Sequence, residues 1–399
     1  AANTRRRRCM FLTFAVLGFA VLVTPSVAAS RPRPRRRGAL VDTRNRTDFH
    51  IKLQTDAPAP ALAASVSREH RAVFESDSGA DLLEKRAVAW PENASCAAGL
   101  LSHEWHEDTG ASLTLQPNPR CANSRLLDED HSLRRSSKAG KGLVLTLGYI
   151  YYCSGADLAR HTSAWSAWPM RERKRLFFLI VDDGSPPGNE AASAVSADMR
   201  TWLQFAIVRI EQDLAWNIGG ARNLLVAMAP TEHVLLMDMD TGVPEALAAQ
   251  LHTLVPKMTV LEHASEKGHV FLHFPRIVHS KHDSTPNSRS AHPAVMMLRK
   301  ASYWLAGGCD EDFVGEYGVT DPHFRYRAKR TKGLRVYSMF NLTVPMEQAH
   351  RGSYSCKKPH KNGTRNKLLF EAKKAKRVRW TTELLRFRWH VAARGEWFK

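Results

Sequence analysis

Cysteine is scarce and poorly placed for metal binding. The six in 399 residues include no CxxC pair and no Cys/His grouping at zinc spacing, which excludes a structural zinc module. Acid is missing from the two ends: residues 1–37 carry nine Arg and no Asp or Glu, and residues 357–399 carry fourteen Lys or Arg against three Glu. The ends together hold a net charge of +20 against +19 for the whole chain, so the middle is near −1. The basic balance therefore describes a neutral domain with basic extensions, not a nucleic-acid-binding surface running through the fold, and no nucleic-acid partner is expected.

A long apolar run is also lacking. Cys9–Val23 falls short of the roughly 20 residues a membrane span needs, although Thr24–Ala29 brings it close. The run follows RRRR and ends in a Pro before small residues, the signal-peptide pattern. Residues 1–29 thus read either as a cleaved signal or as a single-pass, type II anchor. Both deliver the remaining chain to the secretory lumen, with the Golgi membrane or secretion as destinations and the Arg cluster on the cytoplasmic side. Four Asn-x-Ser/Thr sequons, at Asn45, Asn93, Asn341 and Asn362, agree with that address. Outside the apolar segment five cysteines remain, Cys96, Cys121, Cys153, Cys309 and Cys356, which cannot all pair. Cys96 with Cys121 is the bridge expected here.

Residues 30–141 open with RPRPRRR, contain DAPAPALAAS and show weak periodicity, as a partly disordered stem would. From Gly142 the texture changes. LVLTLGYIYY, RLFFLIV, LQFAIVRI, HVLLMD and HVFLHF are strand candidates, separated by helix-length stretches such as DLARHTSAWSAW, IGGARNLLVAMA and PEALAAQLHTLV. Alternation of this kind predicts an α/β domain over 142–350 with a mainly parallel sheet covered by helices on both faces. Ligands of such sheets bind beyond the carboxyl ends of the strands.

Two strand candidates end in acid pairs: RLFFLIVDDGS in Asp182 and Asp183, HVLLMDMDTG in Asp238 and Asp240. If these strands are neighbours, four carboxylates converge on one crevice, which is costly unless a cation or hydrogen-bond donors accept them. Hard oxygen ligands there suit Mg²⁺ or Mn²⁺ bridging to phosphate oxygens. DMDTG also resembles the nucleophile loop of haloacid-dehalogenase-type phosphatases, but Thr241 is one position early and the second acid pair lies upstream instead of downstream. Between the pairs, WNIGGARNLL offers a helix start at Asn217 with Gly219, Gly220 and Arg222 in reach of a diphosphate. Further on, Asp321-Pro322 reads as an N-cap and first helical residue, a structural role that leaves the carboxylate free to act as a general base. Asp310, Glu311 and Asp312 read as solvated turn acids.

The order VDDGS, WNIGGARN, LLMDMDT, then AVMMLRKASYWLAGGCDEDFVGEYGVTDPHFRYR resembles the GT-A fold glycosyltransferases, in particular the family 2-like group and the galactosyltransferase C-terminal type module, over about residues 142–350. The resemblance implies a Rossmann-like GT-A domain and roles for single residues. Asp182, Asp183, Arg222 and Asp238 would bind the donor nucleotide; Asp238, Asp240 and His350 would hold Mn²⁺ or Mg²⁺. Asp321 would be the catalytic base of an inverting transfer from a nucleotide-sugar, with a UDP-sugar first among donors, to a hydroxyl of a glycan or glycoprotein. Thr320 stands where the family has Glu, and His323 where it has a later acid, so Asp321 is the sole carboxylate at the motif's core.

Two stretches remain. FPRIVHSKHDSTPNSRSAH, between His273 and Pro293, reads as a flexible segment facing the acceptor. Residues 351–399 read as a basic extension, either a solvated helix with an apolar stripe or a binder of acidic glycans or membrane. The rival reading from a different class is a secreted polyanion-binding protein on a catalytically inactive GT-A fold, whose binding would fall steeply with salt.

Overall fold

The computed structural model describes residues 142–264, 268–279, 286–339, 346–348, 356, 363–381 and 383–396, with a few isolated two-residue strands between residues 54 and 117. The signal or anchor segment, the four sequons, Cys96, Cys121 and His350 lie outside the described residues. Among those described, no helix is long and apolar enough to cross a membrane.

Ten strands carry the architecture: β1 (Leu145–Tyr151), β2 (Leu176–Asp182), β3 (Phe205–Ile210), β4 (His233–Asp238), β5 (Thr241–Gly242), β6 (His269–His279), β7 (Pro286–Arg299), β8 (Leu334–Ser338), β9 (Met346–Gln348) and β10 (Trp389–Arg394). Six helices matter to the site: α1 (Gly155–Ala167), α2 (Ile218–Met228), α3 (Glu245–Ala264), α4 (Lys300–Leu305), α5 (Thr320–Arg330) and α6 (Thr364–Lys374). Strands β3, β2, β1 and β4 lie side by side in that order, all parallel. Every residue of β1 and β2 is buried. Successive side chains of a strand point to opposite faces, so both faces of this sheet are covered, which is why these runs are continuously apolar and do not alternate. The chain steps from β1 outward to β2 and β3, then returns to place β4 on the other side of β1. That reversal opens a crevice at the carboxyl ends of β1 and β4, the Rossmann-like arrangement expected of a GT-A domain.

The sheet as a whole is mixed, where a mainly parallel one was expected. Beyond β4 come β7, antiparallel to it, then β6, paired antiparallel with β7, then β8, parallel to β6. Most of the stretch expected to be an acceptor-facing loop is therefore a hairpin: Pro275 pairs with Ala291 and His279 with Pro286, with register shifts at 273–275 and 277–279. Its polar composition hid the ladder, and the irregularities absorb Pro275, whose missing N–H a regular ladder would need. Residues 280–285 lie outside the described residues.

The carboxyl end is built into the domain, so residue 350 is not an edge of the packed body. Strand β10 adds to the sheet antiparallel to β3, and α6 buries Leu368, Leu369 and Lys373. Lys373 is fully buried and donates to Asp310 Oδ2 at 2.8 Å and Asp312 Oδ2 at 2.7 Å. Arg386 pairs with Asp312 at 2.8 Å and approaches Glu311. Glu311 also accepts from the Asn223 side chain and the Leu385 N–H. The acids at 310–312, expected in solvent, are thus the counter-charges of the basic tail: Asp310 and Glu311 are buried.

Candidate active site

The two acid pairs stand level at the carboxyl edge but do not form one cluster. Tyr151 of β1 is opposite Asp182 and Ile150 opposite Asp238, so β1 lies between them and puts the tips about 10 Å apart, two strand spacings. Each pair has its own surroundings.

Asp182 ends β2 and is nearly inaccessible. One oxygen accepts the Ser185 N–H (2.9 Å), the other the Ala191 N–H (2.9 Å) and Arg209 Nη1 (3.2 Å). Its carboxylate shapes the loop that follows. Gly184 lets that loop pass: its φ is +73°, and a Cβ there would meet the backbone of Gln212 and Asp213. Asp183 differs. It is buried, its Oδ1 has no hydrogen-bond partner, and burial first, then Asp182 and Asp213, push its pKa well above the ordinary value of 3.8, while Asn217 offsets the shift in part. A carboxyl whose folded pKa is raised weakens the fold at neutral pH and is relieved as pH falls through that pKa. Asp183→Asn is therefore expected to raise the melting temperature at pH 7, with the gain shrinking on acidification. Thermal melts across pH test this; a variant less stable than the parent at pH 7 would overturn it.

Arg222 connects the second pair to the late aspartate. It sits in the second turn of α2 with its side chain fully buried, and its Nη2 donates to Asp238 Oδ1 at 3.1 Å. Its Nη1 forms an ion pair with Asp321 Oδ1. Asp238 and Asp321 remain partly open, with side chains 35% and 20% exposed. One planar cation thus spans a carboxylate at the tip of β4 and one in the first turn of α5, a task suited to a guanidinium and not to an ammonium. Helix α5 starts two residues earlier than expected: Val319, left-handed at φ 72°, is its N-cap, so Asp321 is a first-turn acid and not the cap. Asn217 does cap α2 by position, though its side chain makes no capping bond.

The glycines of GGARN serve packing. A Cβ on Gly220 would lie 2.5 Å from the Phe387 ring, and one on Gly219 would lie 3.2 Å from the Asp310 carbonyl oxygen and 3.5 Å from Thr320 Cγ2. They let α2 approach the 309–310 turn and the start of α5, which brings Arg222 to Asp321. Thr320 and His323, the departures from the family pattern, are buried. His323 accepts the Asp310 N–H at Nε2, sits against the Thr320 carbonyl and stacks on Trp380 at 5.4 Å; burial, then Arg327, holds its pKa well below the usual histidine value. It is a neutral core residue.

Asp240 follows Asp238 in the turn between β4 and β5. Thr241 pairs with Gln348 of β9, which seats that segment beside the acid pair two residues before His350. A disulfide joins Cys356 to Cys153, just past β1; Cys309 is free and buried. Two residues of α1 face the same turn and were not singled out from sequence. His161 Nε2 lies 2.7 Å from the Met239 carbonyl oxygen, and burial lowers its pKa to about 4, so the ring is neutral and donates. Asp157 pairs with Arg160 at 3.0 Å; burial raises its pKa, Arg160 opposes this and Asp240 adds to it. The signal was present in DLARHTSAW: Asp157, His161 and Trp165 recur at four-residue spacing, one face of a helix.

Among the described residues no group of three His, Cys, Asp or Glu is placed to hold a metal ion. Asp238 and Asp240 supply hard oxygen donors on either side of Met239, partly exposed, and such donors fit Mg²⁺ or Mn²⁺.

No protein-family model matches the chain, and no curated protein matches it. Among solved structures it is similar to S. aureus TarS in complex with UDP-GlcNAc, at 15% identity and TM-score 0.40, covering 54% of this chain and 62% of that one. It is also similar to the mannosyltransferase PcManGT from Pyrobaculum calidifontis in complex with GDP-Man and Mn²⁺, at 14% identity and TM-score 0.34, covering 63% and 78%. A third is the catalytic domain of Drosophila β1,4-galactosyltransferase 7 in complex with xylobiose, at 14% identity and TM-score 0.31, covering 55% and 82%. The superpositions are partial and assign no residue of this chain a role.

Proposed function

We propose that this chain is a metal-assisted glycosyltransferase that moves a sugar from a nucleoside-diphosphate sugar, a UDP-sugar first among candidates, to a glycan or glycoprotein hydroxyl with inversion. The observation that carries the reading is the buried Arg222 in contact with both Asp238 and Asp321. It links one carboxylate of the strand-tip pair to the late helical aspartate at the carboxyl edge of the sheet, near the switch point where nucleotide ligands of such folds bind.

In this reading Asp183, with an unpartnered oxygen in the β2 loop, binds the nucleoside end, and Asp182 acts by shaping that loop. Asp238 and Asp240, with His350 as the expected third ligand, hold Mg²⁺ or Mn²⁺, which when bound supplies charge neutralisation to the leaving diphosphate. Arg222 adds a preorganised positive charge in the same pocket. Asp321, in the first turn of α5 beside Arg222, takes the proton of the acceptor hydroxyl as that oxygen bonds to the anomeric carbon and the bond to the diphosphate breaks. One displacement inverts the configuration. The Cys153–Cys356 disulfide supports a secretory-lumen address, since such bonds persist in oxidising compartments.

The test is a panel of UDP- and GDP-sugars incubated with the glycosylated full chain and scored for diphosphate release with and without EDTA, followed by anomeric analysis of the product. Release from at least one donor, abolished by EDTA and by Asp240→Ala, is expected. Release indifferent to both would sink the metal assignment.

A further inference from the structure

We propose that His161 is a positioning residue for the 238–240 turn: its Nε2–H, donated to the Met239 carbonyl oxygen at 2.7 Å, fixes the angle at which Asp238 and Asp240 present their carboxylates to a divalent cation. This rests on the metal-binding reading of those acids. Met239 is the residue between them, and it is itself buried, so its peptide is the pivot about which both side chains turn. The strand ladder ends at Asp238, and β5 resumes only at Thr241. His161 therefore braces the peptide between two ordered strands.

The brace is itself held. His161 is 5% exposed, stacks on Trp165 with ring centroids 5.6 Å apart and 7° between planes, and lies 5.2 Å from the Tyr149 ring of β1. Helix α1 and strand β1 thus set the imidazole's direction, and the imidazole sets the turn. Groups that hydrogen-bond metal ligands directly are usually worth about 10–100-fold in metal affinity, and a brace on the peptide between two ligands sits at the low end of that range.

The test uses the full chain and the Mn²⁺ ion alone, with bound Mn²⁺ read from loss of the free-ion EPR signal and with thermal melts alongside. His161→Phe keeps a ring in the stack and removes the donor; it is expected to weaken Mn²⁺ binding about tenfold and to raise the metal concentration for half-maximal turnover more than it lowers kcat. His161→Gln, which can still donate, is expected to restore affinity to within about threefold of the parent. Trp165→Phe loosens the same stack without touching the bond and controls for a merely structural role: it should lower the melting temperature yet leave Mn²⁺ affinity within about twofold, well inside the tenfold effect of the brace. The proposal is overturned if His161→Phe binds Mn²⁺ as the parent does, or if Trp165→Phe weakens binding equally. A parent chain that binds no Mn²⁺ overturns the metal-binding reading, and this one with it.

Discussion

Asp321→Asn is expected to lower turnover of a nucleotide-sugar with its acceptor by about 10²–10⁴-fold, the range a positioned general base contributes, while leaving donor affinity within a few-fold. The substitution is nearly isosteric and removes the ability to accept a proton. Arg222 loses one of its two carboxylates but keeps Asp238 at 3.1 Å, so the Asp238–Asp240 side of the pocket retains its cation. The loss should fall on kcat and not on KM for donor, because the proton moves only in the transition state. A spectroscopic titration of nucleotide-sugar alongside steady-state kinetics separates the two. Equal activity in the Asn variant would remove Asp321 from the chemistry and leave it as an ion-pair partner of Arg222.

Lys373→Met is expected to destabilise the domain by about 3–5 kcal/mol, the cost of leaving a buried charge without its partner. Lys373 uses three donors on Asp310, Asp312 and the Arg379 carbonyl, all at 2.7–2.8 Å. Asp310 has no exposed surface and would be left with two backbone N–H donors, from Asp312 and Thr381. Removing both charges in Lys373→Met with Asp310→Asn should recover part of the loss, which a lysine merely filling space would not show. Burial pushes the Asp310 carboxyl up, but the Lys373 ammonium, with Arg327 and the Asp312 N–H, outweighs it and holds the folded pKa below the ordinary value of 3.8. A depressed carboxylate stabilises above its unfolded pKa and loses that contribution as pH falls through the folded one. The parent–variant gap in urea melts should therefore be full at pH 7 and narrow as pH drops through the carboxylate range below about 4. The same arrangement counts against the polyanion-binding reading, since Lys373, Arg365 and Arg386 of the basic tail are spent inside the fold.

Much of the parallel half of the sheet was legible. The runs that became β1 to β4 are continuous and apolar because the strands are buried on both faces, and the acidic tips of β2 and β4 mark the carboxyl edge. The helix at Asn217 and the one near Asp321 declared themselves by local chemistry, the second displaced by two residues because Val319, with no capping side chain, begins it. The antiparallel hairpin of β6 and β7 was not legible. Its polar, proline-containing residues have loop composition, and their pairing depends on a ladder with partners far along the chain.

Composition and order alone determined that two of the strand candidates end in acid pairs, that a glycine-led helix carries Arg222, and that one aspartate follows late. Tertiary structure decided who meets whom. β1 separates the two acid pairs, Arg222 joins Asp238 to Asp321 across 99 residues of sequence, His161 of α1 reaches Met239, and the basic tail folds back onto Asp310, Glu311 and Asp312. The reason is physical. Periodicity and capping are local and survive in any fragment, whereas a buried charge takes whichever opposite charge the packed sheet and helices bring within reach, and only the closed fold sets that distance.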